Sequence, residues 1–98
     1  MTSADITFAK NPDIIGREVA GEYLLIPIRR HLKESNSIYV LNETGASFWR
    51  RIDGKQNFGN ILSQLAEEYE VSVEQLQNDL ASLIEDLITI KAIEEITP

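Results

Sequence analysis

Leu41-Asn42-Glu43-Thr44-Gly45-Ala46-Ser47-Phe48-Trp49 is the stretch that decides the fold. Its first residue closes a run, Ser37-Ile38-Tyr39-Val40-Leu41, with the β-branched and aromatic composition of a strand. From Asn42 onward the apolar residues recur at the helical repeat of about 3.6 residues. Asn42 is a good N-cap, because its side-chain oxygen can accept an N–H that the first helical turn leaves without a partner. Ala46 and Trp49, with Phe48 or Ile52, give the short helix its buried face. Asp53-Gly54 ends it, since glycine tolerates the left-handed conformation common just past a helix end.

Upstream, Ile15-Gly16-Arg17-Glu18-Val19 and Glu22-Tyr23-Leu24-Leu25-Ile26-Pro27-Ile28 flank Ala20-Gly21 and read as a β-hairpin. Pro27 has no N–H to give a ladder, which places it near a strand end or on an edge. Arg29 to Asn36 is polar and suits a surface loop, and residues 1–12, without a clear period, are expected to form a loose N-terminal arm. Downstream, Asn57 caps a second helix with Phe58, Ile61, Leu62, Leu65 and Tyr69 on one stripe. Ser72 and Gln75 form a capping-box pattern that opens a third helix. Its apolar face, Val73, Leu76, Leu80, Leu83, Ile84 and Leu87, runs to about Ile90, a length of ~27 Å. Ile93 to Ile96 is either a strand or a frayed tail. The order is β-β-β-α-α-α, an α+β chain with no internal repeat.

The 98 residues make one domain with a single modest core. No apolar run approaches the ~20 residues that span a bilayer, and Met1 to Asn11 has no apolar segment of a secretory signal. A cytoplasmic location is therefore expected, and the absence of cysteine agrees with it. Without a secretory route, Asn42-Glu43-Thr44 is a helix cap rather than a glycosylation site. The net charge of −7 is uneven: residues 1–41 carry five Lys/Arg and five Asp/Glu, residues 42–98 four against eleven. Such a surface repels phosphate backbones and anionic membranes, so neither nucleic acid nor membrane is expected as a partner. No cysteine, a single histidine and no glycine-rich phosphate loop leave nothing from which to build a catalytic site. No catalytic, metal-binding or cofactor-binding residue is assigned, and His31, beside Arg29 and Arg30, reads as a solvated loop residue.

The Leu41–Trp49 stretch resembles the "LNetga…W" segment of PqqD-like proteins, the recognition elements of ribosomally made, enzymatically modified peptides. Arg17-Glu18-Val19 with Gly21, Asp53-Gly54, Ala66-Glu67-Glu68-Tyr69 and Asp79 extend the resemblance, which covers about residues 10–96. One departure is Lys91-Ala92, where the family often has a glycine near the end of the third helix. A non-glycine residue in the left-handed region costs roughly 1 kcal/mol or more, so the helix end is expected to differ here.

The resemblance implies a winged-helix-like fold, a three-stranded antiparallel sheet followed by a three-helix bundle, in one domain over residues 1–98. It also implies a function: a non-catalytic chaperone that binds the leader of a precursor peptide and presents it to a modifying enzyme. That enzyme is a radical S-adenosylmethionine enzyme or another peptide-modifying enzyme. The leader would add as an antiparallel strand to the open edge of the third strand, with alternate side chains in a groove beside helix three. The implied contacts are Ser37, Ile38, Tyr39, Val40 and Leu41 of the strand and Gln77, Leu80, Ala81 and Ile84 of the helix. Trp49 is expected in the core, and Glu67, Glu68 and Glu70 on a solvated face. Tyr39 either packs in the sheet or lines the groove. The same element order allows a winged-helix DNA-binding or transcription-regulatory domain, whose reading helix should be basic or neutral. Helix three instead carries Glu74, Asp79, Glu85 and Asp86 and no cation before Lys91, which disfavours that alternative.

Overall fold

In the computed structural model, which describes residues 4–28 and 38–96, the three helices begin at the expected caps. Asn42 Oδ1 accepts the Gly45 N–H at 2.8 Å, Asn57 Oδ1 the Asn60 N–H at 2.8 Å, and Ser72 Oγ the Gln75 N–H at 3.0 Å. They open α1 (Glu43–Arg51), α2 (Phe58–Tyr69) and α3 (Val73–Thr89). The strands are β1 (Thr7–Lys10), β2 (Ile14–Val19), β3 (Glu22–Pro27), β4 (Tyr39–Leu41) and β5 (Ile93–Ile96). β2, β3 and β4 form an antiparallel sheet in that order, and β1 pairs antiparallel with β5. This is the expected α+β arrangement of a three-stranded sheet followed by three helices, with a two-stranded sheet added. No helix among the described residues is long and apolar enough to cross a membrane. The expected loop from Arg29 to Asn36, its His31, and Ser37 lie outside the described residues.

The loose N-terminal arm expected over residues 1–12 is corrected for its described part, residues 4–12. Thr7 to Lys10 is a strand in register with Ile96 to Ile93. The Ile6 carbonyl accepts the Phe58 N–H at 2.7 Å and the Ala4 carbonyl the Gly59 N–H at 2.9 Å. These are first-turn donors of α2, which no helical carbonyl can reach. Phe8 is fully buried, packed edge-to-face with Phe48 and Phe58 at centroid distances of 6.3 and 5.8 Å. Such pairs add about 0.5–1.5 kcal/mol beyond area burial. Ile93 to Ile96 is thus a strand rather than a frayed tail, and its partner is the other end of the chain.

Around the three phenylalanines the core gathers Leu25 and Leu41 from the sheet and Ile61, Leu62 and Leu65 from α2. Leu76, Leu80, Ile84 and Leu87 complete it from α3. Trp49 is in the core, as expected, with Lys10 Nζ 5.0 Å from its ring centroid. Both Phe48 and Ile52 join it. Val73 lies on the apolar stripe of α3 but, in its first turn, stays 42% exposed. Glu68 is paired rather than merely solvated, accepting a hydrogen bond from Arg51.

The end of α3 resolves the departure at Lys91. Lys91 has φ 63°, its N–H reaches the Ile88 carbonyl at 3.0 Å, and the Ala92 N–H reaches that of Leu87 at 2.8 Å. This bond pair is a Schellman motif with lysine where glycine is usual. Asn11 holds the turn, donating its side-chain N–H to the Lys91 carbonyl at 2.9 Å and its backbone N–H to that of Ala92 at 2.8 Å. The helix therefore ends as a glycine would end it, with local strain opposed by two hydrogen bonds from the opposite end of the chain.

Candidate functional site

β4 is an edge strand, and the hairpin fixes which of its backbone groups face outward. Ala20 and Gly21 both have positive φ, 53° and 83°, between the facing residues Val19 and Glu22. That is a two-residue type I′ turn, which makes Val19 and Glu22 a hydrogen-bonded pair. Bonded and non-bonded pairs alternate from there. The Ile28 N–H donates to the Asp13 carbonyl at 2.8 Å, one step beyond the Ile14–Pro27 pair, in agreement with this phase. Leu24 and Ile26 therefore direct their backbone groups to β2, and Tyr23 and Leu25 direct theirs to β4. Tyr23 faces Leu41 and Leu25 faces Tyr39. Tyr39 and Leu41 thus bond inward, while Val40 turns its N–H and C=O to the edge, unpaired among the described residues. By the same alternation Ile38 sides with Val40.

Along that edge runs a groove of about 480 Å³ between β4 and α3. Leu41, Leu80 and Leu83 give it an apolar floor, and Asp79, Ser82 and Asp86 of α3 form one wall. Tyr39, Val40, Asn42 and Thr44 complete the lining. The Tyr39 hydroxyl donates to Asp86 Oδ2 at 2.8 Å, tying the edge strand to the helix across the groove. Burial, then the hydrogen bond to Asp86 and its negative charge, raise the Tyr39 phenol above the ordinary tyrosine range, so it is the donor at neutral pH. Gly45 lets α3 come close: a Cβ there would lie 3.1 Å from Leu83 Cδ2 and 3.2 Å from Asn42 Oδ1.

Of the residues expected in the site, Tyr39, Val40, Leu41 and Leu80 line the groove, and Ile38 lies beside it on the outward phase. Tyr39 does both things left open for it, packing against the core and lining the groove. Ile84 is buried in the core, and Gln77 and Ala81 do not line the groove. The reason is rotational. At roughly 100° per residue, Leu76, Leu80, Ile84 and Leu87 form the core stripe of α3. Asp79, Ser82, Leu83 and Asp86 lie on one flank of that stripe, and Gln77 and Ala81 on the other. Of the residues expected from the sequence, Leu80 and Ile84 thus share the core stripe beside the groove wall, while Gln77 and Ala81 lie on the flank away from this groove. Gly45 was the available signal, since glycine in a first helical turn marks a close neighbour.

Fold and groove together define a small α+β protein with a free sheet edge set against an acidic helix. The family model for coenzyme PQQ synthesis protein D (PqqD) matches residues 22–93, and the chain belongs to that family. Among solved structures, TbiB1 in complex with the TbiA(beta) leader peptide has the same fold, with a TM-score of 0.71. Sequence identity is 14%, over 92% of this chain and 99% of that one. No curated protein matches the chain.

Proposed function

We propose that the chain is a non-catalytic peptide chaperone that binds the leader of a ribosomally made precursor peptide as an added antiparallel strand on β4. It then presents that peptide to a modifying enzyme, by default a radical S-adenosylmethionine enzyme of the quinone-cofactor type. The observation that carries the reading is Val40, whose N–H and C=O face an open edge directly beside a groove. Membership of the PqqD family supports it, as does the shared fold of TbiB1, which was solved with a leader peptide. Ile38, Tyr39, Val40, Leu41, Leu80 and Leu83 are the proposed contacts, through main chain or side chain.

The energetics require both edge and groove. Each strand bond nets about 0.5–1.5 kcal/mol, while ordering a guest residue costs roughly 1–2, so backbone pairing alone comes out near zero. In antiparallel addition, guest residues opposite Tyr39 and Leu41 point into the groove and the one opposite Val40 points away from it. Two or three guest side chains that bury apolar surface there, whether aliphatic residues or the methylene stems of long charged ones, contribute up to about 1.5–3 kcal/mol each and bring affinity toward micromolar, which needs about −8 kcal/mol. Titration calorimetry with the separate leader and core segments of a precursor peptide encoded beside this chain tests the reading. The expected result is micromolar binding of the leader segment alone; preference for the core segment would refute it.

A further inference from the structure

We infer that this groove selects leaders with a basic residue, an apolar residue and a second basic residue at successive groove-facing positions. The inference rests on the strand-addition reading and adds to it the chemistry of the guest. Asp79 and Asp86 stand two helical turns apart on α3, separated along the axis by about 10 Å. Leu83 lies between them, against Gly45. Same-face residues of an extended guest recur about every 6.8 Å. A central apolar side chain over Leu83 therefore puts its second neighbours on either side within reach of the two carboxylates.

The charges of the wall point one way. Among the described residues no Lys or Arg lines the groove, and α3 carries no cation along its length. The Asp79 carboxylate has no hydrogen-bond or ion-pair partner among the described residues. Asp86 accepts the Tyr39 hydroxyl through Oδ2 and keeps its other oxygen for a guest. A guest strand running against β4 sets the residue opposite Leu41 before the one opposite Tyr39. Its first basic residue thus meets Asp79 and its second meets Asp86. Partly exposed ion pairs of this kind contribute about 1.5- to 5-fold each, and added salt weakens them.

The test uses synthetic extended peptides with leucine at the central groove-facing position and Lys, Gln or Glu two residues to either side. Their affinities for the full chain are compared by fluorescence anisotropy at low and high salt. The expected order is Lys over Gln over Glu, with about a 10-fold gap between the extremes at low salt that narrows as salt rises. Asp79→Asn and Asp86→Asn should each remove part of the Lys preference, and the asparagine of the latter can still accept the Tyr39 hydroxyl. Glu85→Gln makes the same charge change on α3 outside the groove and should leave the preference nearly intact. Equal affinities for the three peptides, or equal effects of all three variants, would overturn the charge pattern while leaving strand addition standing. Peptides whose binding ignores a Val40→Pro substitution, or no binding at all, would overturn strand addition and this inference with it.

Discussion

Proline scanning along β4 separates the two faces of its backbone. At Val40 the substitution removes an N–H that points to the open edge, leaving the ladder to β3 intact. Edge strands tolerate proline, and the lost side chain was already 53% exposed. The fold should therefore survive with little loss of stability. A guest strand loses one hydrogen bond, about 0.5–1.5 kcal/mol net, and meets a pyrrolidine ring where its carbonyl should approach. A total of about 1–3 kcal/mol weakens leader binding roughly 5- to 150-fold. At Tyr39 the N–H points inward to Leu25, and the ring hydroxyl holds Asp86. Proline there breaks the ladder, leaves a partner unsatisfied and unties α3, for about 3 kcal/mol or more. At about 4–8 °C per kcal/mol for a domain of this size, Tm should fall by at least ~12 °C. Circular dichroism melts and anisotropy titrations on both variants read the contrast. A folded Val40→Pro protein that binds its leader normally would refute strand addition at this edge. Val40→Pro unfolding while Tyr39→Pro stays stable would refute the assigned phase.

Three further outcomes follow from the same contacts. Phe8→Ala should cost about 3–5 kcal/mol in urea unfolding, and a loss under about 1 kcal/mol would mean that β1 contributes little to the core. Lys91→Gly relieves about 1–2 kcal/mol of left-handed strain against about 0.4–1 for the freer unfolded chain; a Tm raised by a few degrees is expected, and a lower one would contradict the strained turn. The Tyr39 phenol should titrate above the ordinary 10.0, and Asp86→Asn should bring it back down, as followed by phenolate absorbance. Because its folded pKa is raised, its stabilisation is complete below about pH 10 and fades as pH rises through the folded value; Tyr39→Phe should lack that component of the alkaline loss.

Features set by near neighbours in the chain were legible, and those set by distant partners were not. The caps Asn42, Asn57 and Ser72 each act within three residues, so the sequence places all three helix starts. Ala20-Gly21 marks the hairpin for the same reason. β1 escaped because it is only four residues long, buries only Phe8 and pairs with the far end of the chain. The phase of β4 required the turn type together with the register of two ladders, and neither is visible in Ser37 to Leu41 alone. The groove flank of α3 depends on how the helix is rotated about its core stripe, which the approach of Leu83 to Gly45 helps to set. Lys91 shows the converse error. A local rule made the turn costly, and a contact from Asn11 supports it.

The charge of α3 bears on why an open edge can persist at all. An unpaired strand invites a second copy of itself, and proteins defend such edges by keeping them short or charged. Here β4 is three residues long, and its exposed groups belong mainly to Val40. Two copies pairing edge to edge through β4 would bring two α3 walls together, Asp79 and Asp86 of each facing an equally acidic neighbour. Like charges at close range in a partly dried groove oppose that assembly without adding any contact to the folded monomer. A neutral or basic guest meets no such opposition. Under the proposed function, these carboxylates would oppose a phosphate backbone and a second copy of β4 while leaving the edge open to a neutral or basic extended peptide.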